Sequence, residues 1–247
     1  MPSPSPRNDP PATAEDVRGK LAQIRAKRGY LLPHHGLLAV AEPTLLEAYD
    51  ATYTAMTLNE RALELRDKEI IWLTILVSTG EAIATHHIDR LKQGGGTQAD
   101  LEAAIALAAW SDGAPRFEFV EAHWGPHLDS YDPIQAYRRG LGALLHAQPV
   151  EPVVAEMALA AAHLCHRRWF WVREHLRGAY AKGCDERALA EALSLAMFPG
   201  GVPNFVDACD HWRQLIADGK VEASAPYRAW AEMTGQGGYD EAVGVDT

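Results

Sequence analysis

Apolar residues recur at helical spacing along most of the chain, and no stretch alternates apolar with polar over a strand's length. A first helix is predicted to begin near Thr13, where Thr-Ala-Glu-Asp offers an N-cap followed by acids. It runs through VRGKLAQIRAKRG and stops at Gly29. YLLPHHGLLAVAEP reads as a turn-rich connector, and Pro43 opens the helical TLLEAYDATYTAMTL. Glu69 to His87, EIIWLTILVSTGEAIATHH, reads as one buried helix. It carries an acid at its entry, Glu81 two thirds along, and His86-His87 at its exit, polar groups that burial alone does not call for. Gly94-Gly95-Gly96 ends it. Thr97 caps QADLEAAIALAAW, Asp112-Gly113-Ala114-Pro115 closes that helix, and Phe117 to Trp124 forms a further helical segment. The expected fold class is all-α.

Self-comparison adds a duplication. At an offset of 88 residues His87 falls on His175, Gly95 on Gly183, Gly113 on Gly201, Pro115 on Pro203, Phe117 on Phe205, and His123-Trp124 on His211-Trp212. Upstream the register slips by one, and Glu69 meets Glu156. The expected organisation is a disordered Pro/Ser-rich tail over 1–14, a first repeat over 15–125, and a linker over 126–150. A second repeat over 151–220 and a C-terminal extension over 221–247 follow.

Apolar residues make up 47% and charged residues 23%, as in ordinary globular proteins. A net charge of −10 without a basic cluster argues against a nucleic-acid partner. No apolar run reaches the ~20 residues of a membrane span, and the N-terminus has no hydrophobic signal core. A cytoplasmic protein is expected. The three cysteines, Cys165, Cys184 and Cys209, form no CxxC and leave one unpaired, which agrees with a reducing compartment.

The repeated unit resembles the carboxymuconolactone decarboxylase family, which shares its fold with the alkyl hydroperoxidase D family. The resemblance rests on DKEIIWLTILVSTGEAIATHHIDRLKQGG and, more loosely, EMALAAAHLCHRRWFWVREHLRGAYAKG, and covers roughly residues 30 to 220. It implies a duplicated helical bundle. The hydroperoxidase branch carries cysteines seven and four residues before the histidine, where this chain has Gly80 and Ile83, then Arg168 and Trp171. Thiol peroxidase chemistry lacks its redox pair. The decarboxylase branch needs none, and Gly80-Glu81 with His86-His87 keep the sense of its pattern. The implied activity is a cofactor-independent lyase acting on a small carboxylated lactone or a related intermediate of aromatic breakdown. An antioxidant of the hydroperoxidase kind and a non-catalytic, ligand-binding or oligomeric member stand as alternatives. Members of the fold assemble as rings, so a homo-oligomer, with a trimer favoured, is the implied partner state.

His87 or His86 is the expected proton donor, with Glu81 tuning it. Alternatively one histidine caps a helix C-terminus. Glu69 lies 18 residues before His87, roughly 27 Å along an ideal helix, so the two meet only if the helix breaks, for instance at Gly80, or through another subunit. Glu69 and Glu156 are expected at helix N-termini, as first-turn acids or in ion pairs. Arg168, Trp171 and His175 are candidates for holding substrate, against an interhelical salt bridge and core packing. His163, Cys165 and His166 suggest a metal cluster but have no further ligand at ligand spacing, and none is expected. His34-His35 could line a pocket entrance, and His123-Trp124 and His211-Trp212 read as structural. Repeat one keeps the Glu-His-His set, so the active site is expected there.

Overall fold

A computed structural model describes residues 13–238. The described residues are all-α, in two compact units that divide after Asn59.

The N-terminal unit holds α1 (Ala14–Arg28), α2 (Pro33–Ala41) and α3 (Pro43–Tyr53), which runs on into a π-helical turn, Thr54–Leu58. The caps of α1 lie where the sequence puts them. Thr13 and Asp16 form a capping box, and Gly29 closes the helix at φ +83°. The expected connector is instead a helix. Pro33 starts it, where a missing N–H costs nothing, and the buried His35 accepts from the Leu32 N–H at 3.1 Å. Ile24, Ala39 and Leu46 form the small core. Arg28 closes one side, bonding Asp50 at 2.6 Å and lying 4.3 Å from the Tyr53 ring. His34 and His35 belong to this unit.

The larger unit carries α4 (Leu65–Thr79), α5 (His86–Gln93), α6 (Gln98–Trp124), α7 (Pro133–His146) and α8 (Pro152–Cys165). It ends with α9 (Trp169–Ala181), α10 (Glu186–Leu195), α11 (Val202–Ala217) and α12 (Ala225–Glu232). The corresponding helices of the two repeats, α4 and α8, pack against each other at its centre. Ile70, Ile71 and Ile75 meet an alanine-rich α8 (Ala155, Ala158, Ala161), whose small side chains let the helices approach closely. Each fully buried Ile or Leu contributes about 1.5–3 kcal/mol. Glu191 fixes the entry of α4: it accepts the Ala62 and Leu63 N–H groups and pairs with the buried Lys68 at 2.7 Å.

Three sequence expectations change here. Glu69 to His87 is two helices, because the chain breaks at Gly80 in the left-handed region (φ +72°). Repeat two breaks at the corresponding point with Arg167 at φ 56°. Second, α6 does not stop at Asp112–Pro115 but runs through to Trp124. Pro115 removes the donor for the Ser111 carbonyl, and Arg168 Nη1 donates to that oxygen at 2.9 Å instead. Third, the segment 126–150 is not a bare link, since it contains α7. The tail expected over 1–14 lies, up to residue 12, outside the described residues.

Candidate active site

The break at Gly80 turns the chain back on itself and carries α5 alongside α4. His87, on the first turn of α5, thereby meets Glu69, on the first turns of α4. Its Nδ1 lies 2.6 Å from Glu69 Oε2, and both side chains are buried. Arg90, one turn beyond His87, donates from Nε to Glu69 Oε1 at 2.6 Å. One carboxylate thus holds a guanidinium and an imidazole at once. The His87 ring lies 4.7 Å from Trp72 and 4.4 Å from the half-buried His86. Among the described residues Nε2 of His87 has no hydrogen-bond partner.

Repeat two rebuilds the pair. His175 Nδ1 lies 2.7 Å from Glu156 Oε2. The arginine comes from elsewhere: Arg138, on α7, grips both Glu156 oxygens from Nη1 at 3.0 and 2.9 Å. The position matching Arg90 is Gly178, and its lack of a side chain is required. A Cβ there would sit 2.3 Å from Glu156 Oε2. Tyr137, also on α7, bonds His175 Nε2 at 2.9 Å. Burial pushes His175 below the ordinary histidine range despite the Glu156 bond. Burial also works to raise Glu156, but the bonds from His175 and Arg138 outweigh it and hold the carboxyl below its usual value. The pair is therefore a neutral imidazole donating Nδ1–H to a carboxylate, with the Tyr137 hydroxyl donating to Nε2. Burial raises that hydroxyl well above the ordinary phenol range. Below His175 stacks the fully buried His163, ring centroids 5.3 Å apart and planes 13° from parallel. Neither of its nitrogens has a partner among the described residues. Burial, reinforced by the neighbouring His175, drives it well below the ordinary range.

A cleft lies at the helix break of repeat one, and another reaches the pair of repeat two. In repeat one an apolar cleft of about 410 Å³ lies at the break, lined by Leu73, Val77, Gly80, Glu81, Ile88 and Ile105 among others. In repeat two a polar cleft of about 780 Å³ reaches Glu156 and Arg138 past Gly178.

Glu69 and Glu156, read as first-turn acids or members of ion pairs, are the histidines' partners. Glu81 is exposed on the turn after Gly80 and makes no contact with His87. Arg168 bonds the Ser111 carbonyl and Asp112 at 3.1–3.2 Å, the salt-bridge alternative. Trp171 is core, packed on Tyr137 at 4.2 Å. His175 is fully buried with both nitrogens engaged. His166 Nε2 turns to Ser78 Oγ at 2.8 Å, away from any shared ligand geometry with His163. Sequence reasoning missed Arg90, Arg138 and Tyr137. Arg90 carried a signal, sitting one turn after His87; Tyr137 falls on Tyr49 at the offset of 88, and Arg138, opposite Asp50, carried none.

A duplicated all-α chain with a buried glutamate–histidine pair at a helix break in each half is thus defined by its geometry. The sequence matches the model of the carboxymuconolactone decarboxylase family over residues 43–122 and again over 132–214, and the chain belongs to that family. No curated protein matches the chain. No solved structure matches it.

Proposed function

We propose that the chain is a cofactor-independent lyase of the carboxymuconolactone decarboxylase kind, acting in the cytoplasm on a small carboxylated lactone or related intermediate of aromatic breakdown. The buried Glu69–His87 contact of 2.6 Å is the observation that carries this reading. Loss of CO2 leaves charge on carbon that must receive a proton. Glu69 orients His87 through Nδ1 and stabilises the imidazolium, so that Nε2 takes a proton from the substrate or returns one to carbon. Arg90, bonded to the other oxygen, fixes the Glu69 carboxylate in place. His86 flanks the ring, its centroid 4.4 Å away. Repeat two, with His175 engaged on both nitrogens, serves as frame.

The geometry also weighs against the hydroperoxidase alternative. Burial pushes Cys165 up to about 12 and Cys184 and Cys209 up to about 11, so all three are thiols rather than thiolates near neutrality. The test is ultraviolet loss of a carboxylated unsaturated lactone. His87→Ala and Glu69→Gln are expected to lower kcat by about 10²–10⁴-fold, the usual weight of a general acid–base group, while Glu81→Gln stays near wild type. Full activity in His87→Ala would remove this histidine from the chemistry.

A further inference from the structure

The two repeats differ in what covers the helix break. In repeat two α11 lies across it. Asn204 donates to the Cys165 carbonyl at 3.3 Å, and Arg167 reaches Asn204 at 3.1 Å and Asp207 at 3.2 Å. The His211 ring packs on Trp169 at 5.1 Å, and Arg173 donates to Gln214 at 3.4 Å. Positions 204, 207, 211 and 214 form one stripe of the helix. The chain folds back this way because it turns at Gly201 (φ +85°) between α10 and α11, and Trp212 ends up buried.

Repeat one has no such turn. Its counterparts of α10 and α11 are fused into α6, which passes straight through Gly113 and Pro115. No residue of α6 after Ala114 is buried, and Trp124, the counterpart of Trp212, is 55% exposed. The cleft at Gly80 is left open, lined in part by the exposed Val77 and Ile105. Phe119 and His123, the counterparts of Asp207 and His211, pack together at 4.7 Å on the exposed face of α6. Where repeat two sets Asp207 on Arg167, repeat one has Phe119 and Gly80 at the matching positions. The α6 of the same chain cannot serve: Ile105 lines the cleft, and Phe119 lies about 21 Å further along a straight helix.

We propose that the second half of α6 from one copy of the chain lies across the cleft of another copy, roofing it with Phe119 as α11 roofs the break in repeat two. Reciprocal exchange closes a two-fold dimer, and head-to-tail exchange closes a ring. The inference does not rest on the reaction proposed above; where that cleft holds substrate, Phe119 of the second copy becomes its lid.

The test uses the full chain. Light scattering at micromolar concentration is expected to give a multiple of 27.0 kDa. Phe119→Asp, at an exposed position, is expected to return the mass to 27.0 kDa with helicity by circular dichroism unchanged. Mixing a chain carrying Glu81→Cys with one carrying His123→Cys and oxidising is expected to yield a disulfide between the two, since their counterparts Trp169 and His211 touch. A wild-type monomer would overturn the proposal. So would an assembly that Phe119→Asp leaves intact and that gives no mixed disulfide.

Discussion

Glu69 and Glu156 are buried acids with two partners each, so removing either side chain leaves buried groups unpaired. Glu69→Ala leaves Arg90 and His87 facing an empty site, and chemical denaturation should show a loss of about 3–5 kcal/mol. Two glycines separate space from conformation. Gly178→Ala drives a Cβ into Glu156 and should cost about 1–3 kcal/mol by overpacking. Gly142→Ala, in α7 with open space around it, should stabilise by about 0.5–1 kcal/mol. The importance of Glu69 was half legible: the same acid recurs at Glu156 ahead of a recurring histidine. What the sequence could not supply was the fold-back that converts an 18-residue separation into a hydrogen bond. Arg138 was beyond reach, since the same offset sets Asp50 opposite it; Tyr137 does fall on Tyr49, but only the fold shows that it bonds the histidine.

Helix ends were legible where local chemistry decides them, as at Thr13, Gly29 and Thr97, whose side chains or φ angles satisfy orphaned backbone groups. They were misread where a distant residue intervenes. Gly113 and Pro115 are stop signals, yet α6 continues because Arg168 takes up the Ser111 carbonyl that Pro115 leaves free. Arg168→Met should therefore fray α6 near Pro115, seen as faster amide exchange beyond Ser111. Gly80 is the converse case, a stop signal inside an apolar run that is obeyed. With φ +72° and nothing near its Cβ direction, Gly80→Ala should cost about 1–2 kcal/mol through backbone strain alone. A loss well under that would mean that the break is held by its flanks.

At the scale of the molecule, the duplication gave the all-α class and the pairing of α4 with α8, while the sequence alone could not say how unequally the halves would be used. Repeat two is closed: His175 is engaged on both nitrogens and rests on His163, where repeat one has Leu76. That closure has a pH signature. His163 and His175 are held below 6.5 in the fold, so the unfolded chain binds protons first as pH falls through that value, and stability falls with it. Glu156, held below 4.5, adds stability above that pH that is lost as pH falls through its lower folded value. His163→Leu should reduce the slope of unfolding free energy between pH 6.5 and 5 by up to about 1.4 kcal/mol per pH unit, one proton's worth. An unchanged slope would mean that His163 is protonated in the folded protein. Repeat one is open, and the proposed chemistry depends on that. The most direct test compares lactone turnover in Glu69→Gln and Glu81→Gln, each shown to be folded. Loss of about 10²-fold or more in the first, with the second unimpaired, is predicted. Unimpaired turnover in Glu69→Gln, with loss in Glu81→Gln, would contradict the assignment of Glu69 and His87 as the pair that moves the proton.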